Sequence, residues 1–507
     1  MVKVDKQHEN MGKYYLPHHT VVKDTSLTTK TRVVFDASAK TSNGYSFNDA
    51  MMIGPRRQDN IFDIIIKWRQ WKFVVTADIE KMYRQINSAE EHQEYHRIFW
   101  REQPKDNIRE YKLTTVTYGT AAAPFLAVRT LQEVANQSKD KDTRIKEIIR
   151  EEFYVYDLMT GANNEDECRY IIRAVSENLS NAGFQLRKWS SNNQNLLTGI
   201  MSNDEQKIIN VKEGDTMKTL GLHWDPDQDE FRFVIDSSKL SISKTKRNVL
   251  SNIAKIFDPI GWLTPVTIKA KIFIQRLWQS NYDWDDELDE IMKAEWMTFQ
   301  QNLQEIKLIK IPRWIFNDEA GPIEIHGFAD ASEKAYAAVI YVKTNMTIKI
   351  LTAKTKVAPI KNKKTLPKLE LCAAQLLAKL LNKIKKYFSN DTKYYGWSDS
   401  TITLWWIKNN KSKEKFIRSR VADIKSLMDK IEWLHLNSKD NPVDVASRGI
   451  CPSKIAAHEL WCTGPQWLKQ SKHHWPQQQH LAPSTDLKTM STLQCKKHFV
   501  SPTQPTP

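Results

Sequence analysis

Residues 73–83 read Phe-Val-Val-Thr-Ala-Asp-Ile-Glu-Lys-Met-Tyr, a short apolar run that leads into a carboxylate. The β-branched residues predict a strand over Phe73–Ala77 with Asp78 at its end. Residues 153–158 read Phe-Tyr-Val-Tyr-Asp-Leu, a second strand that reaches a turn beside Asp157. Two such strands side by side would bring both acids to one divalent metal cluster. Acids at strand ends are more often structural, so this pair alone leaves both interpretations open.

Around these two strands, regular elements alternate along the chain. Further strands are predicted at Thr31–Phe35, Lys112–Thr117, Ile323–Phe328 and Lys393–Trp397. Helices are predicted at Lys244–Phe257, Pro265–Ser280 and Leu369–Phe388. Residues 1–13 are polar and are expected to be loose, and regularity fades after Gly449.

The composition indicates a globular, multidomain protein with a polyanionic partner. The chain has 507 residues, 40% hydrophobic and 27% charged, which is too long for one core. The net charge is +15, and from Tyr341 to Asn390 there are 12 Lys, no Arg and one acid, Glu370. Such a block of positive charge favours a nucleic-acid-binding face, although lysines that only keep the surface soluble remain an alternative.

Several classes of protein are disfavoured by what the sequence lacks. The five cysteines are scattered and no two have the C-x-x-C spacing, which argues against a zinc site and a disulfide framework. The N-terminus has no apolar signal core, and no apolar run approaches the 18 residues that a membrane span needs. We therefore expect no membrane partner and a reducing, intracellular environment.

A second constellation of acids lies in the C-terminal half. Asp330 lies on a predicted strand, Glu370 opens a helix, Asp399 ends a strand, and Asp444 lies in the segment Lys439–Gly449. Each acid alone is more often a solvated group or a helix cap. Four acids delivered in this order predict a crowded site, and crowded carboxylates repel one another unless a divalent cation neutralises them.

These motifs, taken together, resemble the Pol polyprotein of Bel-Pao type LTR retrotransposons. The segment around Asp78 is similar to the first catalytic motif of their reverse transcriptases, and the acids of the second half resemble their ribonuclease H. Further matching segments are Tyr15–His19, Lys30–Ser38, Tyr118–Ala127, Phe184–Asn192, Leu220–Trp224, Lys246–Ser251 and Ile256–Gly261. The resemblance runs from about Tyr14 to Trp467.

The resemblance implies an α+β multidomain fold, a right-hand polymerase of fingers, palm and thumb followed by a ribonuclease H-like α/β domain. We expect a loose N-terminus at 1–13, fingers and palm at 14–215, and a helical thumb and connection at 216–315. The ribonuclease H-like domain is expected at 320–450, and residues 451–507 form a largely disordered tail.

The resemblance also implies roles for individual residues. Asp78 and Asp157 would hold the polymerase metals, and Asp330, Glu370, Asp399 and Asp444 those of the nuclease. Lys30 and Arg32 resemble the fingers residues that grip the incoming triphosphate. Tyr83 resembles the gate that excludes a ribose 2′-OH, and Tyr118 lies where the family has an aromatic residue beside the nucleotide.

One position departs from the family pattern. The palm turn should read Tyr-x-Asp-Asp, whereas this chain has Tyr154-Val155-Tyr156-Asp157. A phenol has a pKa near 10 and is neutral at pH 7, so Tyr156 cannot replace a metal-binding carboxylate. We therefore expect the polymerase step to be impaired.

By the resemblance, each active site uses two Mg²⁺ ions, with Mn²⁺ as the alternative, about 3.5–4 Å apart. The implied partners are an RNA template, a DNA primer, an RNA·DNA hybrid, dNTPs and other proteins of the element, and a cytoplasmic particle is the expected location. The Lys354–Lys368 stretch is expected to hold the phosphate backbone of the hybrid.

Two other functions remain open. A non-catalytic nucleic-acid-binding remnant is favoured by Tyr156 and by the absence of an integrase-type zinc module after Trp467. An aspartic peptidase is considered because the middle of Pao-type polyproteins is sometimes described as a Pao retrotransposon peptidase. Such enzymes need Asp-Thr-Gly or Asp-Ser-Gly, and the chain has Asp330-Ala331-Ser332 and neither motif, which makes the peptidase the least favoured of the three.

Overall fold

The structure is a computed structural model. It describes residues 1–22, 31–55, 57–139, 142–199, 217–219, 222–235, 244–318, 321–345, 347–409 and 412–478. The chain forms two compact units. The N-terminal unit contains the described residues up to 219 together with 224–229, and the C-terminal unit contains residues 222–223 and those from 230 onward.

The N-terminal unit is built around a four-stranded antiparallel sheet. The strands up to residue 191 are β1 (Val2–Lys3), β2 (His18–Val22), β3 (Thr31–Phe35), β4 (Phe73–Ile79), β5 (Arg97–Trp100), β6 (Arg109–Lys112), β7 (Phe153–Tyr154), β8 (Asp157–Ala162) and β9 (Leu186–Ser191). Its helices are α1 (Phe47–Ala50), α2 (Ile61–Trp68), α3 (Glu90–Gln93), α4 (Ala123–Gln137), α5 (Thr143–Glu151) and α6 (Glu165–Asn181). The four-stranded sheet has the order β7-β8-β4-β9, so β8 and β4 are its two inner strands.

Helix α6 covers one face of this sheet because its apolar residues recur at helical spacing. Asn164 caps the helix by accepting a hydrogen bond from the backbone N–H of Glu167. Ile171, Ile172, Val175 and Leu179 are buried against the residues of β4 and β8. This packing holds the strands that carry Asp78 and Asp157.

Two details of the N-terminal unit differ from the sequence predictions. Residues 1–13 are not loose, because β1 pairs antiparallel with β6 and Val4 is buried. The strand predicted at Lys112–Thr117 ends at Lys112 instead, and Thr115 forms only an isolated bridge with Asn87. Both errors have the same cause, since strand pairing between distant segments is not visible in local composition.

The C-terminal unit contains a five-stranded mixed sheet. Of the strands that follow β9, β10 (Met217–Thr219) belongs to the N-terminal unit and β11 (Leu222–Asp225) is divided between the two units. The strands of the C-terminal unit are β12 (Glu230–Arg232), β13 (Lys310–Pro312), β14 (Ile323–Ala331), β15 (Ala335–Thr344), β16 (Thr347–Val357), β17 (Lys393–Ser398) and β18 (Ile431–His435). The remaining helices are α7 (Lys246–Ala254), α8 (Thr264–Gln279), α9 (Glu290–Asn302), α10 (Leu366–Lys385), α11 (Thr401–Asn409), α12 (Lys415–Leu427), α13 (Asp444–Arg448), α14 (Pro452–Ile455) and α15 (Glu459–Thr463).

The sheet order is β16-β15-β14-β17-β18, antiparallel up to β14 and parallel beyond it. Helix α10 crosses the sheet at Gly327, where a Cβ would lie 2.4 Å from Cδ1 of Leu377. Glycine at this position therefore allows the helix to approach the central strand closely.

Residues 244–312, predicted as a separate thumb and connection, belong to the same compact unit as this sheet. The Nε1 of Trp262 donates to the carbonyl of Leu351 at 3.1 Å, and the Oγ1 of Thr352 donates to the carbonyl of Ile260 at 2.6 Å. Gly261 has φ +91, and a Cβ there would lie 1.8 Å from the carbonyl oxygen of Ala353. The predicted boundary near residue 315 therefore does not separate two packed units. The predicted segment 216–315 also contains the strands β10–β13 besides its helices.

The tail predicted from residue 451 is also partly wrong. Residues 452–474 form short helices, and Trp461, Trp467 and Trp475 are each close to the sheet. The rings of Trp467 and Trp475 lie 4.7 and 5.4 Å from that of Trp397, and the Oη of Tyr341 donates to the carbonyl of Trp461. Large aromatic surfaces stabilise this segment despite its low regularity. Residues 479–507 lie outside the described residues.

None of the helices in the described part of the chain is long and apolar enough to cross a membrane.

Candidate active sites

The structure brings Asp78 and Asp157 together in the palm. They are partners in the antiparallel pairing of β4 and β8. Residues directly opposite each other in such a pair have Cβ atoms about 4.5–5.5 Å apart and point to the same face. The predicted convergence of the two acids is therefore present.

A lysine is already bound at this pair of acids. The ammonium of Lys188 on β9 forms an ion pair with Oδ2 of Asp78, while Oδ1 of Asp78 is buried without a hydrogen-bond partner. Burial and the charge of Asp78 raise the pKa of Asp157 to about 6, against the opposing effect of Lys188. The palm thus retains one oxygen in need of a partner, and its negative charge is partly balanced by the protein itself.

Tyr156 lies in the hairpin turn between the strands β7 and β8. Tyr154 pairs with Asp157, which leaves Val155 and Tyr156 as the two turn residues. Val155 has φ +58, a conformation that costs a β-branched residue about 1–2 kcal/mol. Burial, followed by the charges of Asp157 and Asp78, raises the pKa of Tyr156 above its usual value. The side chain is therefore a neutral phenol at pH 7, beside the two acids.

The predicted nucleotide-side residues lie around this turn. Tyr83 packs on the palm core, and its pKa is raised by burial and then by the nearby Tyr156. Arg32 is exposed on β3, and its charge lowers the pKa of Tyr156, which places the guanidinium near the turn. The Oη of Tyr118 donates to the carbonyl of Val33 at 2.9 Å, so it is tied to the strand that carries Arg32.

Two cations of this region were missing from the predicted site. Arg84 donates through Nη2 to the Oη of Tyr118 at 3.3 Å. Its position directly after Tyr83 in the first motif could have indicated it, as could the position of Lys188 in the segment Phe184–Asn192. Lys30, the remaining predicted residue, lies outside the described residues.

Three of the four acids predicted for a nuclease site form one cluster. The parallel strands β14 and β17 align Phe328 with Trp397, and Asp330 and Asp399 each lie two residues beyond that pair. Side chains two residues apart on a strand point to one face, so the two acids lie side by side at the same edge. Glu370 reaches them from α10, and one carboxylate oxygen of each acid lies within 4.8 Å of the others.

Asp330 and Glu370 are the buried acids of this cluster, and the charge of Arg448 compensates them only in part. Asp330 and Glu370 are 4% and 8% exposed. Burial and the charge of Asp399 raise the pKa of Asp330 to about 7, and burial with both neighbouring acids raises the pKa of Glu370 well above its usual value. Oε2 of Glu370 and Oδ1 of Asp399 are buried without hydrogen-bond partners. Unpartnered carboxylate oxygens are the ligands that a hard divalent cation prefers, so the residues fit such an ion.

Asp444 lies nearby but outside this three-acid cluster. It opens α13, and its charge contributes to raising the pKa of Asp330. Its Oδ1 accepts a hydrogen bond from Nε of Arg448 at 2.6 Å. The structure therefore brings together three of the predicted nuclease acids and places the fourth at the margin, paired with an arginine.

Comparison with known proteins gives two findings. Residues 245–400 match the family model of the Pao retrotransposon-like RNaseH-like domain, which includes the three clustered acids but not Asp444. No curated protein matches the chain.

Among solved structures, the chain is similar to the foamy viral protease-reverse transcriptase dRH in complex with double-stranded DNA, with a TM-score of 0.55 and 14% identity. The match covers 84% of this chain and 65% of that one, so the chain spans slightly less than two thirds of its length. The foamy viral protease-reverse transcriptase in complex with double-stranded DNA gives a TM-score of 0.51 and 13% identity over 84% of this chain and 78% of that one. At this identity the likeness is one of fold.

The predicted fold class, a polymerase followed by a ribonuclease H-like domain, is thus confirmed. Residues 245–400 are thus similar to the Pao retrotransposon-like RNaseH-like domain, and the fold is similar to that of the foamy viral protease-reverse transcriptase, which agrees with the resemblance drawn from the motifs.

Proposed function

We propose that this protein is a divalent-metal-dependent nuclease that cleaves the RNA strand of an RNA·DNA hybrid, carried on a reverse transcriptase whose polymerase step is impaired. The observation that carries the nuclease is the cluster of Asp330, Glu370 and Asp399. Its buried oxygens without partners make the cluster unfavourable unless a cation binds.

The side chains of the cluster would have distinct tasks. Asp330, Glu370 and Asp399 would hold Mg²⁺, or Mn²⁺ in its place, and Asp444 would complete the ligand set after leaving Arg448. When bound, the ions would supply an activated water and stabilise the leaving oxygen. Burial of Asp330 and Glu370 excludes bulk water and keeps their electrostatic effect strong.

A basic surface beside this cluster supports a nucleic-acid substrate. We name it the Phe416 surface, after the ring on which three cations converge. Nζ of Lys364 and Nζ of Lys368 lie 5.0 and 5.8 Å from the ring centroid, and Cζ of Arg420 lies 3.5 Å from it. Glu414 pairs with Lys368 at 2.7 Å, while Nε of Arg420 is buried without a partner. Glu414 pairs with Lys368 alone, and a bound polyanion would reduce the remaining repulsion among the three cations.

The Phe416 surface adjoins the cluster along the chain. Lys368 precedes Glu370 by two residues on α10, so the two residues lie in the first two turns of the same helix but on different faces of it. Phosphate contacts of this kind position the substrate without reading its sequence. The predicted Lys354–Lys368 face is thereby extended by α12, which contributes Phe416 and Arg420.

The geometry around Asp78 and Asp157 supports the proposal that the polymerase step is impaired. Asp78 and Asp157 face each other, but the turn offers a neutral phenol and Lys188 occupies one oxygen of Asp78. Template, primer and dNTP binding would still depend on Arg32, Tyr83 and Tyr118.

One preparation tests the proposal. An RNA·DNA hybrid labelled on the RNA strand is incubated with Mg²⁺, beside the same label in duplex RNA. We expect cleavage of the hybrid alone, its arrest by a chelator, and its loss in Asp330→Asn. Equal cleavage by the parent and Asp330→Asn would refute the proposal, because a contaminating nuclease would then explain the activity.

The second candidate is a non-catalytic nucleic-acid-binding remnant, favoured by Tyr156 in the palm turn. It predicts that the parent binds the hybrid yet leaves the RNA strand uncut in both Mg²⁺ and Mn²⁺. The same assay, with binding measured in parallel, distinguishes the two candidates.

A further inference from the structure

Ser447 lies directly behind the first acid of the nuclease cluster. The residue is fully buried, and its Oγ donates a hydrogen bond to Oδ2 of Asp330 at 2.5 Å. Asp330 is itself 4% exposed, so the bond lies away from solvent. A hydrogen bond to a buried carboxylate is stronger than one between neutral groups. The hydroxyl therefore restrains one of the two oxygens of Asp330.

The helix that carries Ser447 is anchored to the sheet on the same side. The Oγ of Ser332, just after β14, donates to the carbonyl of Ser447 at 2.7 Å. The Oγ1 of Thr355 on β16 donates to the carbonyl of Ala446 at 3.1 Å. Because α13 is only one turn long, these bonds to its backbone fix the direction of its side chains.

Both ends of α13 are held as well. Asn441, which is buried, donates through Nδ2 to the carbonyl of Ala329 at 3.2 Å, next to Asp330 along β14. At the other end, the backbone N–H of Ile450 donates to the carbonyl of Pro265 at the start of α8. The orientation of the Ser447 hydroxyl is thus determined by contacts from three different parts of the C-terminal unit.

We propose that Ser447 is a positioning residue of the nuclease site, which orients the carboxylate of Asp330 toward Glu370 and Asp399 so that the three acids can bind a divalent cation. The proposal rests on the nuclease function proposed above. Residues that hydrogen-bond to metal ligands typically change metal affinity or activity about 10–100-fold when they are removed.

The hydroxyl of Ser447 has a second possible acceptor besides the carboxylate of Asp330. Oγ of Ser447 also lies 3.1 Å from the carbonyl of Asp444, one turn earlier in α13. A single hydroxyl proton serves one acceptor at a time, and the carboxylate of Asp330 is the stronger one. Without the hydroxyl, Asp330 would lose the bond that fixes it while staying buried.

The test measures binding of Mn²⁺ by calorimetry, without substrate, to the full chain. The signal that the parent shows and Glu370→Gln lacks defines binding at the cluster. We expect Ser447→Ala to weaken this binding at least about tenfold. Cleavage by Ser447→Ala should fall at low Mg²⁺ and recover toward the parent rate at high Mg²⁺, which a merely structural loss would not do.

Two further variants keep the result interpretable. Ser447→Cys has nearly the same size and a weaker donor, so its Mn²⁺ affinity should lie between the parent and Ser447→Ala. It also serves if Ser447→Ala does not fold. Ser176→Ala is the matched control, since Ser176 lies on α6 in the other unit and donates to the carbonyl of Ile172. Its Mn²⁺ binding should equal that of the parent.

The outcomes separate the two proposals. If Ser447→Ala and Ser447→Cys bind Mn²⁺ at the cluster as tightly as the parent, the role of Ser447 is overturned and the nuclease function stands. If the parent and Glu370→Gln give the same titration, the cluster binds no metal and the proposed function itself falls.

Discussion

The palm and the nuclease cluster each gather acids, but they differ in how the negative charge is balanced. In the palm, Asp78 and Asp157 lie on paired strands and Lys188 is bound to one of them. In the second cluster, Asp330 and Glu370 are buried beside Asp399, their pKa values are raised, and the charge of Arg448 offsets this rise only in part. Among the described residues, Asp78 has a direct ion pair, whereas Asp330, Glu370 and Asp399 have none, and this difference, rather than the number of acids, indicates which site retains a need for metal.

The largest expected effect is the loss of cleavage rate when one of the three clustered acids is replaced, compared with replacement of Asp444. We expect Glu370→Gln to slow single-turnover cleavage of the hybrid by about ten thousandfold, because it removes a direct ligand in a buried site. Asp444→Asn should cost only about 10–100-fold, since Asp444 lies outside the cluster and is paired with Arg448. Equal losses would show that Asp444 is as essential as the three clustered acids.

The next effect concerns the palm. We expect Tyr156→Asp to raise primer extension by about a thousandfold, because a charge worth roughly 4 kcal/mol of transition-state stabilisation is returned. Tyr156→Ala frees space without charge and should stay near the parent, which makes it the control. Equal primer extension by the parent and Tyr156→Asp would show that the missing carboxylate is dispensable.

A smaller effect concerns the free energy of unfolding, which should depend on pH because of a buried histidine in the C-terminal unit. His326 is fully buried, and burial lowers its pKa to about 4 against the opposing effect of Glu324. The unfolded residue has a pKa near 6.5, so stability is complete above pH 6.5 and is lost as the pH falls toward 4. At pH 5 the loss should be about 2 kcal/mol.

Urea unfolding at pH 7 and pH 5 measures this loss. His326→Gln keeps an acceptor for the Nε1 of Trp397, which donates to Nδ1 of His326 at 3.2 Å. The variant should be less stable than the parent at pH 7 and should lose about 2 kcal/mol less on acidification. An identical drop in both proteins would mean that His326 does not titrate in this range.

The smallest expected effect concerns the Phe416 surface. Lys364→Ala combined with Lys368→Ala should weaken binding of the hybrid by about tenfold at moderate salt and reduce the salt slope by about 2. Binding can be measured in the Asp330→Asn background, so that cleavage does not interfere. Lys425→Ala with Lys430→Ala, both exposed at and beyond the end of α12, is the control pair. Equal slopes for both pairs would contradict a substrate contact at Phe416.

Much of the local structure could be predicted from residue patterns. The strand Thr31–Phe35 was predicted with its observed ends, and the helix over Pro265–Ser280 was misplaced by one residue at each end. Apolar periodicity and proline at a helix start are local signals, so they suffice for such elements. The strand β1 and the helices after Gly449 were missed because their stability comes from distant partners, Lys112 and Trp397.

The candidate sites divide in the same way. The sequence by itself determined which acids could bind metal, and it showed that Tyr156 departs from the expected Tyr-x-Asp-Asp pattern. Residue type and motif order are properties of the sequence alone, so no structure is needed to identify them. Only the tertiary structure decided that Asp444 stands apart from the other three acids and that Lys188 meets Asp78. It also decided that Ser447 holds Asp330. These relations depend on strand register and helix placement between residues that are far apart in the sequence, which no local pattern encodes.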